Sequence, residues 1–198
     1  AEERDYQAPN INSVACFHSL RPLTETLDEE IANDCEIVIL DVSAKQPAAN
    51  LFEESLKASD MVLIPVLASS LDVKAGERFV TDLLTHRVMR ATPKPVGVIY
   101  NRTKASSNSH KRLEDLLRCL DIPVITALED ASIYTTAMEI GSGVLELSEN
   151  PSARSEYSAW REIMLWIERK SKGKRDTPRP LQAGKTSDNR KPSAFIGN

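Results

Sequence analysis

A carboxylate placed at the end of an apolar run is the residue best suited to chemistry in this chain. In Glu36-Ile-Val-Ile-Leu-Asp41, four apolar residues rich in β-branching read as a strand covered on both faces, and Asp41 follows them directly. At the carboxyl end of a parallel strand such a group can hold a hydrated Mg²⁺ beside a nucleotide. A strand-ending Asp also serves simply to cap the next loop, and on this motif alone both readings stand. Asn101 and Arg102 occupy the equivalent place after a second run, Pro95-Val-Gly-Val-Ile-Tyr100, where Asn is also an ordinary turn residue. Cys16, Cys35 and Cys119, odd in number and widely spaced in apolar stretches, read as buried free thiols of a reducing compartment. His18, His86 and His110 have no Cys or carboxylate at ligand spacing, so no metal centre is expected.

Positioning these groups requires alternating strands and helices. Strands are predicted at residues 13–17, 36–41, 61–67, 95–100 and 123–127. Helices are predicted at 22–33, 48–58, 71–90, 110–120, 132–140 and 152–170, the fifth stopped by Gly141. Apolar stripes support them: Leu23, Leu27 and Ile31; Phe79, Val80, Leu83 and Leu84; Leu113, Leu116, Leu117 and Leu120; Trp160, Ile163, Met164 and Ile167. Strands separated by helices imply right-handed crossovers and a parallel sheet, with ligands at the carboxyl ends of its strands. That edge comprises residues 41–45, 68–72, 101–104 and 127–130.

The 198 residues, 41% hydrophobic and 27% charged, are the balance of a soluble globular protein, and no apolar run is long enough to span a membrane. The charged first residues lack a signal peptide's apolar segment, and the chain does not begin with Met. Charge is uneven. From Arg169 onward nine basic residues face only Asp176 and Asp188, a net +7, which leaves −11 for the remainder of a chain whose formal charge is −4. The expected organisation is one α/β domain over residues 1–170 and a disordered basic tail over 171–198. That tail is either an electrostatic arm or merely solubilising.

The order of these segments resembles the ParA/MinD family of deviant Walker ATPases. The resemblance rests on Glu36 to Ala44 with its strand-ending Asp41, on Ala58-Ser-Asp60 leading into Met61-Val-Leu-Ile-Pro65-Val, on Leu71-Asp-Val, and on Gly97-Val-Ile-Tyr-Asn101-Arg102. It continues through Ile122-Pro-Val and the segment Tyr134 to Ser155, and covers residues 35–170. It implies an α/β fold of the doubly wound, P-loop NTPase-like kind, with a mostly parallel sheet flanked by helices. It also implies ATP and Mg²⁺ as cofactors, Asp41 orienting the Mg²⁺-bound water, and Asn101, with Arg102 beside it, at the adenine. The implied setting is a bacterial cytoplasmic protein, nucleoid-associated or polar. It would act in plasmid or chromosome partition as an ATP-dependent homodimer, binding DNA non-specifically and stimulated by a centromere-binding or relaxosome component. Arg102, Lys104, Lys111 and Arg112 form one basic cluster, of which Lys104, Lys111 and Arg112 are the candidates for DNA although a solvated face is the simpler reading, and the tail forms another.

The sequence departs from the family in two places. The loop Val42-Ser-Ala-Lys-Gln-Pro47 has no Gly, and no K-G-G-x-G-K-[ST] phosphate loop occurs in the 198 residues. Gly184-Lys185-Thr186 is no substitute, because Arg179 stands where the loop needs Gly and Pro178 and Pro180 flank it. Two expectations follow: a family member lacking its first strand and phosphate loop, or a non-catalytic interaction module built on the same fold. The first also predicts an exposed sheet edge, hence poor solubility or a dimer. A membrane-positioning protein of the MinD kind would need a carboxy-terminal amphipathic helix, which the Pro-interrupted tail does not offer.

Overall fold

The computed structural model describes residues 23, 25, 27–28, 37–42, 49–67, 69–103 and 111–171. Its order is α1 (Ala49–Ala58), β1 (Val62–Leu67), α2 (Ser70–Thr85), α3 (Arg87–Ala91), β2 (Val96–Thr103), α4 (Lys111–Cys119), β3 (Val124–Glu129), α5 (Ile133–Glu139), a 3₁₀ turn (Val144–Glu146) and α6 (Pro151–Ser171). The strands form one parallel sheet in the order β1-β2-β3, with Val62 opposite Val96 and Val98 opposite Val124.

Two-residue alternation sorts the strands' side chains between two helical layers. Ile64, Val66, Val96, Val98 and Tyr100 point to one face, where they meet Leu56 of α1, Val73, Val80 and Leu83 of α2, Val88 and Met89 of α3, and Leu113 and Leu117 of α4. Leu63, Ile99, Ile125 and Leu128 lie in the opposite cluster, against Ala159, Trp160, Ile163 and Ile167 of α6. Gly97 permits that second contact: a Cβ there would lie 2.5 Å from Ile125 Cδ1 and 3.0 Å from Trp166 Cζ2, so a side chain would hold α6 off the sheet. The middle strand β2 is buried on both faces from Val96 to Tyr100, as a continuous apolar strand requires, whereas β1 leaves Pro65 and Leu67 exposed and β3 leaves Val124 exposed.

Local chemistry sets the helix ends. Ser69 caps α2, its Oγ accepting the Asp72 amide at 3.1 Å. Asn150 Oδ1 accepts the Ser152 amide at 2.9 Å, with Pro151 in the first turn of α6. Gly141, at φ 69°, ends α5 in a Schellman motif, Ser142 N–H donating to Ala137 O and Gly141 N–H to Met138 O. Asp121, at φ 54°, ends α4 in the same way through Ile122 N–H to Leu117 O.

Five expectations are corrected. Residues 37–42 are not a strand: Ile37 and Ile39 are 61% and 86% exposed, so the run is outside the sheet that was to cover it. The long helix over 71–90 is two helices, because His86 is extended (φ −62°, ψ 138°) and turns its Nδ1 to accept the Val88 amide at the start of α3. Phe79 and Leu120 sit at the margins of their stripes and are partly exposed. Met164 is exposed and Trp166 takes its place inside. Cys119 is exposed, on the side of α4 away from Leu113 and Leu117. Leu23 and Leu27 are helical and buried as expected, whereas the strand at 13–17, Cys16, Cys35 and the tail lie outside the described residues.

Glu53 ties α1 to α3. It pairs with Lys57 Nζ at 2.6 Å and with the guanidinium of Arg87, whose Nε lies 2.9 Å from Oε2. The hydrogen bonds from Lys57 and then Arg87 hold its carboxyl down to about 2 from an ordinary 4.5. A lowered pKa stabilises the fold above the unfolded-state value and loses that contribution as pH falls through the folded-state value. Glu53→Gln is therefore expected to lower Tm at pH 6–7, and the gap to wild type to close between pH 4.5 and about 2. A gap unchanged across that window counts against the linkage.

Candidate functional site

The carboxyl edge of the sheet is where residues of different strands converge, as it is in open parallel sheets generally. After β1, Ser69 and Asp72 close on each other at the start of α2, so that helix N-terminus is already occupied by its own carboxylate. At the end of β2, Asn101 is half-buried, Arg102 exposed and Thr103 half-buried. After β3, Asp130 closes the group.

The β2 and β3 ends are bound tightly to each other. Thr103 Oγ1 donates to Leu128 O at 3.1 Å, Asp130 N–H donates to Thr103 O at 3.1 Å, and Arg102 Nε donates to Asp130 Oδ1 at 2.9 Å. The pairing is irregular here. Tyr100 lies opposite Ala127 and Thr103 opposite Glu129, so β2 carries one more residue than β3 over this interval. That is a bulge, and it falls on Asn101 and Arg102. Arg102 sits at φ 52°, a left-handed conformation that a long side chain adopts only when its surroundings impose it.

Of the residues singled out from sequence, the structure brings Asn101 and Arg102 together at this edge. Asp41 is exposed and lies in the irregular segment outside the sheet. Lys111 is exposed at the start of α4, Arg112 follows it in the same helix, and Lys104 lies outside the described residues. Among the described residues no three His, Cys, Asp or Glu side chains cluster as metal ligands. Mg²⁺ beside a nucleotide takes most of its ligands from phosphate and water, so a single carboxylate such as Asp41 suits an outer-sphere share. Asn101 offers an amide donor and acceptor, the pair that a purine edge requires.

Two features escaped the sequence reading. Asp130 was inside the expected edge but had no role, because an ion pair to a residue 28 positions away leaves no local signal. Glu156 is the other: it is only 2% exposed, inside the last helix, and accepts the Tyr134 hydroxyl at 2.6 Å while Trp160 Nε1 donates to the same hydroxyl at 3.1 Å. Burial first, and then the bond to Glu156, push the Tyr134 phenol well above its ordinary range. This triad joins α5 to α6, away from Asn101 in sequence, and the bonds described are internal.

No family model and no curated protein sequence matches the chain. Among solved structures it is similar to the MinD cell division protein of Aquifex aeolicus, with a TM-score of 0.51 at 20% identity over 70% of this chain. The matched region spans 58% of the length of that MinD chain. A three-stranded parallel sheet between two helical layers, superposable on MinD, is an α/β fold of the P-loop NTPase-like kind.

Proposed function

We propose that the chain is the carboxy-terminal part of a ParA/MinD-type nucleotide switch. The observation that carries the reading is Asn101: an amide on a bulge at the carboxyl end of the sheet's middle strand, in a MinD-like fold. In this reading Asn101 hydrogen-bonds the adenine edge and Asp41 orients a water of the nucleotide's Mg²⁺. ATP with its Mg²⁺, when bound, supplies the phosphoanhydride to be cleaved and the charge that steadies its oxygens. The switch would be a homodimer that holds DNA through Lys111, Arg112, Lys104 and the basic tail, with affinity falling steeply as salt rises.

Phosphate binding is the part these residues do not supply. Without a loop of backbone amides and its lysine, a triphosphate loses most of its anion partners. The 198-residue chain is accordingly expected to show no measurable ATP turnover. Extended by the coding sequence upstream of Ala1, it is expected to carry a strand and K-G-G-x-G-K-[ST] in frame, and to hydrolyse ATP slowly in a Mg²⁺-dependent reaction that Asp41→Ala abolishes. Absence of that motif and of turnover sinks the ATPase reading. It leaves a non-catalytic interaction module built on the same fold.

A further inference from the structure

Two non-glycine residues among those described have positive φ, Arg102 and Asp121. Asp121 is accounted for: it ends α4 in a Schellman motif, and Asp tolerates that conformation well. Arg102 has no such excuse. It ends no helix, its side chain is long, and it stands inside a strand, where the left-handed conformation works against the pleat. What surrounds it is a set of fixed points on β3 and the residue that follows it: the Asp130 carboxylate on its guanidinium, and the two Thr103 bonds, to Leu128 O and from Asp130 N–H, immediately after it.

We infer that Asp130 is a positioning residue for Asn101. Its carboxylate holds Arg102 by the side chain, Arg102 keeps the bulge in its left-handed turn, and the bulge sets the direction in which the neighbouring Asn101 amide points. Bulges re-aim a side chain next to binding sites, and this one breaks the pairing with β3 immediately after Tyr100, while Asn101 keeps its register with Leu67 of β1. Arg102 then serves through its backbone, its guanidinium being engaged by Asp130. This rests on the purine-binding role proposed above for Asn101, and it adds what that role does not contain: an acidic residue just past the end of β3 that controls the amide's orientation.

Four versions of the 198-residue chain test it: wild type, Asp130→Asn, Arg102→Ala and Arg102→Gly. The Asn101 side-chain amide is followed by NMR as adenosine is added in the millimolar range. Asp130→Asn and Arg102→Ala are each expected to weaken adenosine by about two- to fivefold, the scale of a solvent-exposed ion pair. Arg102→Gly loses the same ion pair but adopts positive φ freely, so it is expected to bind more tightly than Arg102→Ala. Asp130→Asn binding like wild type, or Gly no better than Ala at 102, overturns the positioning role and leaves the purine reading intact. If wild type shows no shift with adenosine, the purine reading fails, and positioning is judged on the ligand-free spectra. There, wild type and Arg102→Gly should share one Asn101 amide position and the other two variants should depart from it. A common position in all four chains overturns the inference.

Discussion

Leu113→Ala is expected to lower the unfolding free energy by about 3–5 kcal/mol, near the upper end for an aliphatic truncation in a core. Leu113 is 0% exposed and belongs to the cluster that joins α2 and α4 to the sheet face carrying Val66, Val98 and Tyr100. Its Cδ2 approaches within 3.7 Å of the place where a Cβ on Gly76 would lie, so α2, α4 and β1 meet around this one side chain. A cavity here cannot close without moving a helix, which is why the cost exceeds the transfer energy of the lost methyl groups. Since domains have only about 5–15 kcal/mol in total, such a loss should be visible as a large drop in the urea midpoint. A change below about 1 kcal/mol contradicts the packing described.

Tyr134→Phe is the second large effect, and it acts through hydrogen bonding. Removing one hydroxyl deprives Glu156 of the donor at 2.6 Å and Trp160 Nε1 of its acceptor at 3.1 Å in the same step. A buried group left without its partner costs about 1–3 kcal/mol, more when it is charged, so a loss on the order of 3 kcal/mol is expected. Adding Glu156→Leu should recover part of it, because the carboxylate that lost its donor is then gone. If the double variant is less stable than Tyr134→Phe alone, Glu156 stabilises the fold through contacts other than this hydroxyl. Urea unfolding of the three chains decides it.

What could be read from the sequence was what a residue's type and spacing determine locally. Val96 to Tyr100 by its unbroken apolar run and Leu113 with Leu117 by their period declare their burial, Val62 to Leu67 declares a strand though Pro65 and Leu67 are exposed, and Gly141 declares a helix end by its freedom at positive φ. Ile37 to Leu40 shows the limit of that logic. An apolar run states a need for cover but not which strand supplies it, and here the three-stranded sheet does not take it up. His86 broke a helix because its ring could cap the next one, a competition no hydrophobic stripe reports. The site divides in the same way: Asn101 was visible as a strand-end amide, while the Asp130 contact that restrains its neighbour depends on how β2 and β3 are registered, a tertiary fact.

Pro65 is the residue of β1 whose effect extends beyond the folded molecule. Val62 N–H donates to Pro95 O, so in β1 the even-numbered amides point toward β2 and positions 63, 65 and 67 point away from it. The middle of those three has no N–H to offer. Any chain that stacked onto this side of the sheet would find a gap at mid-strand, with one carbonyl facing a pyrrolidine ring. Amyloid-like growth needs an unbroken amide row repeated from copy to copy, and a proline at this spot denies it one. In a concentrated preparation, association through β1 should therefore stop at small oligomers and not propagate into fibres.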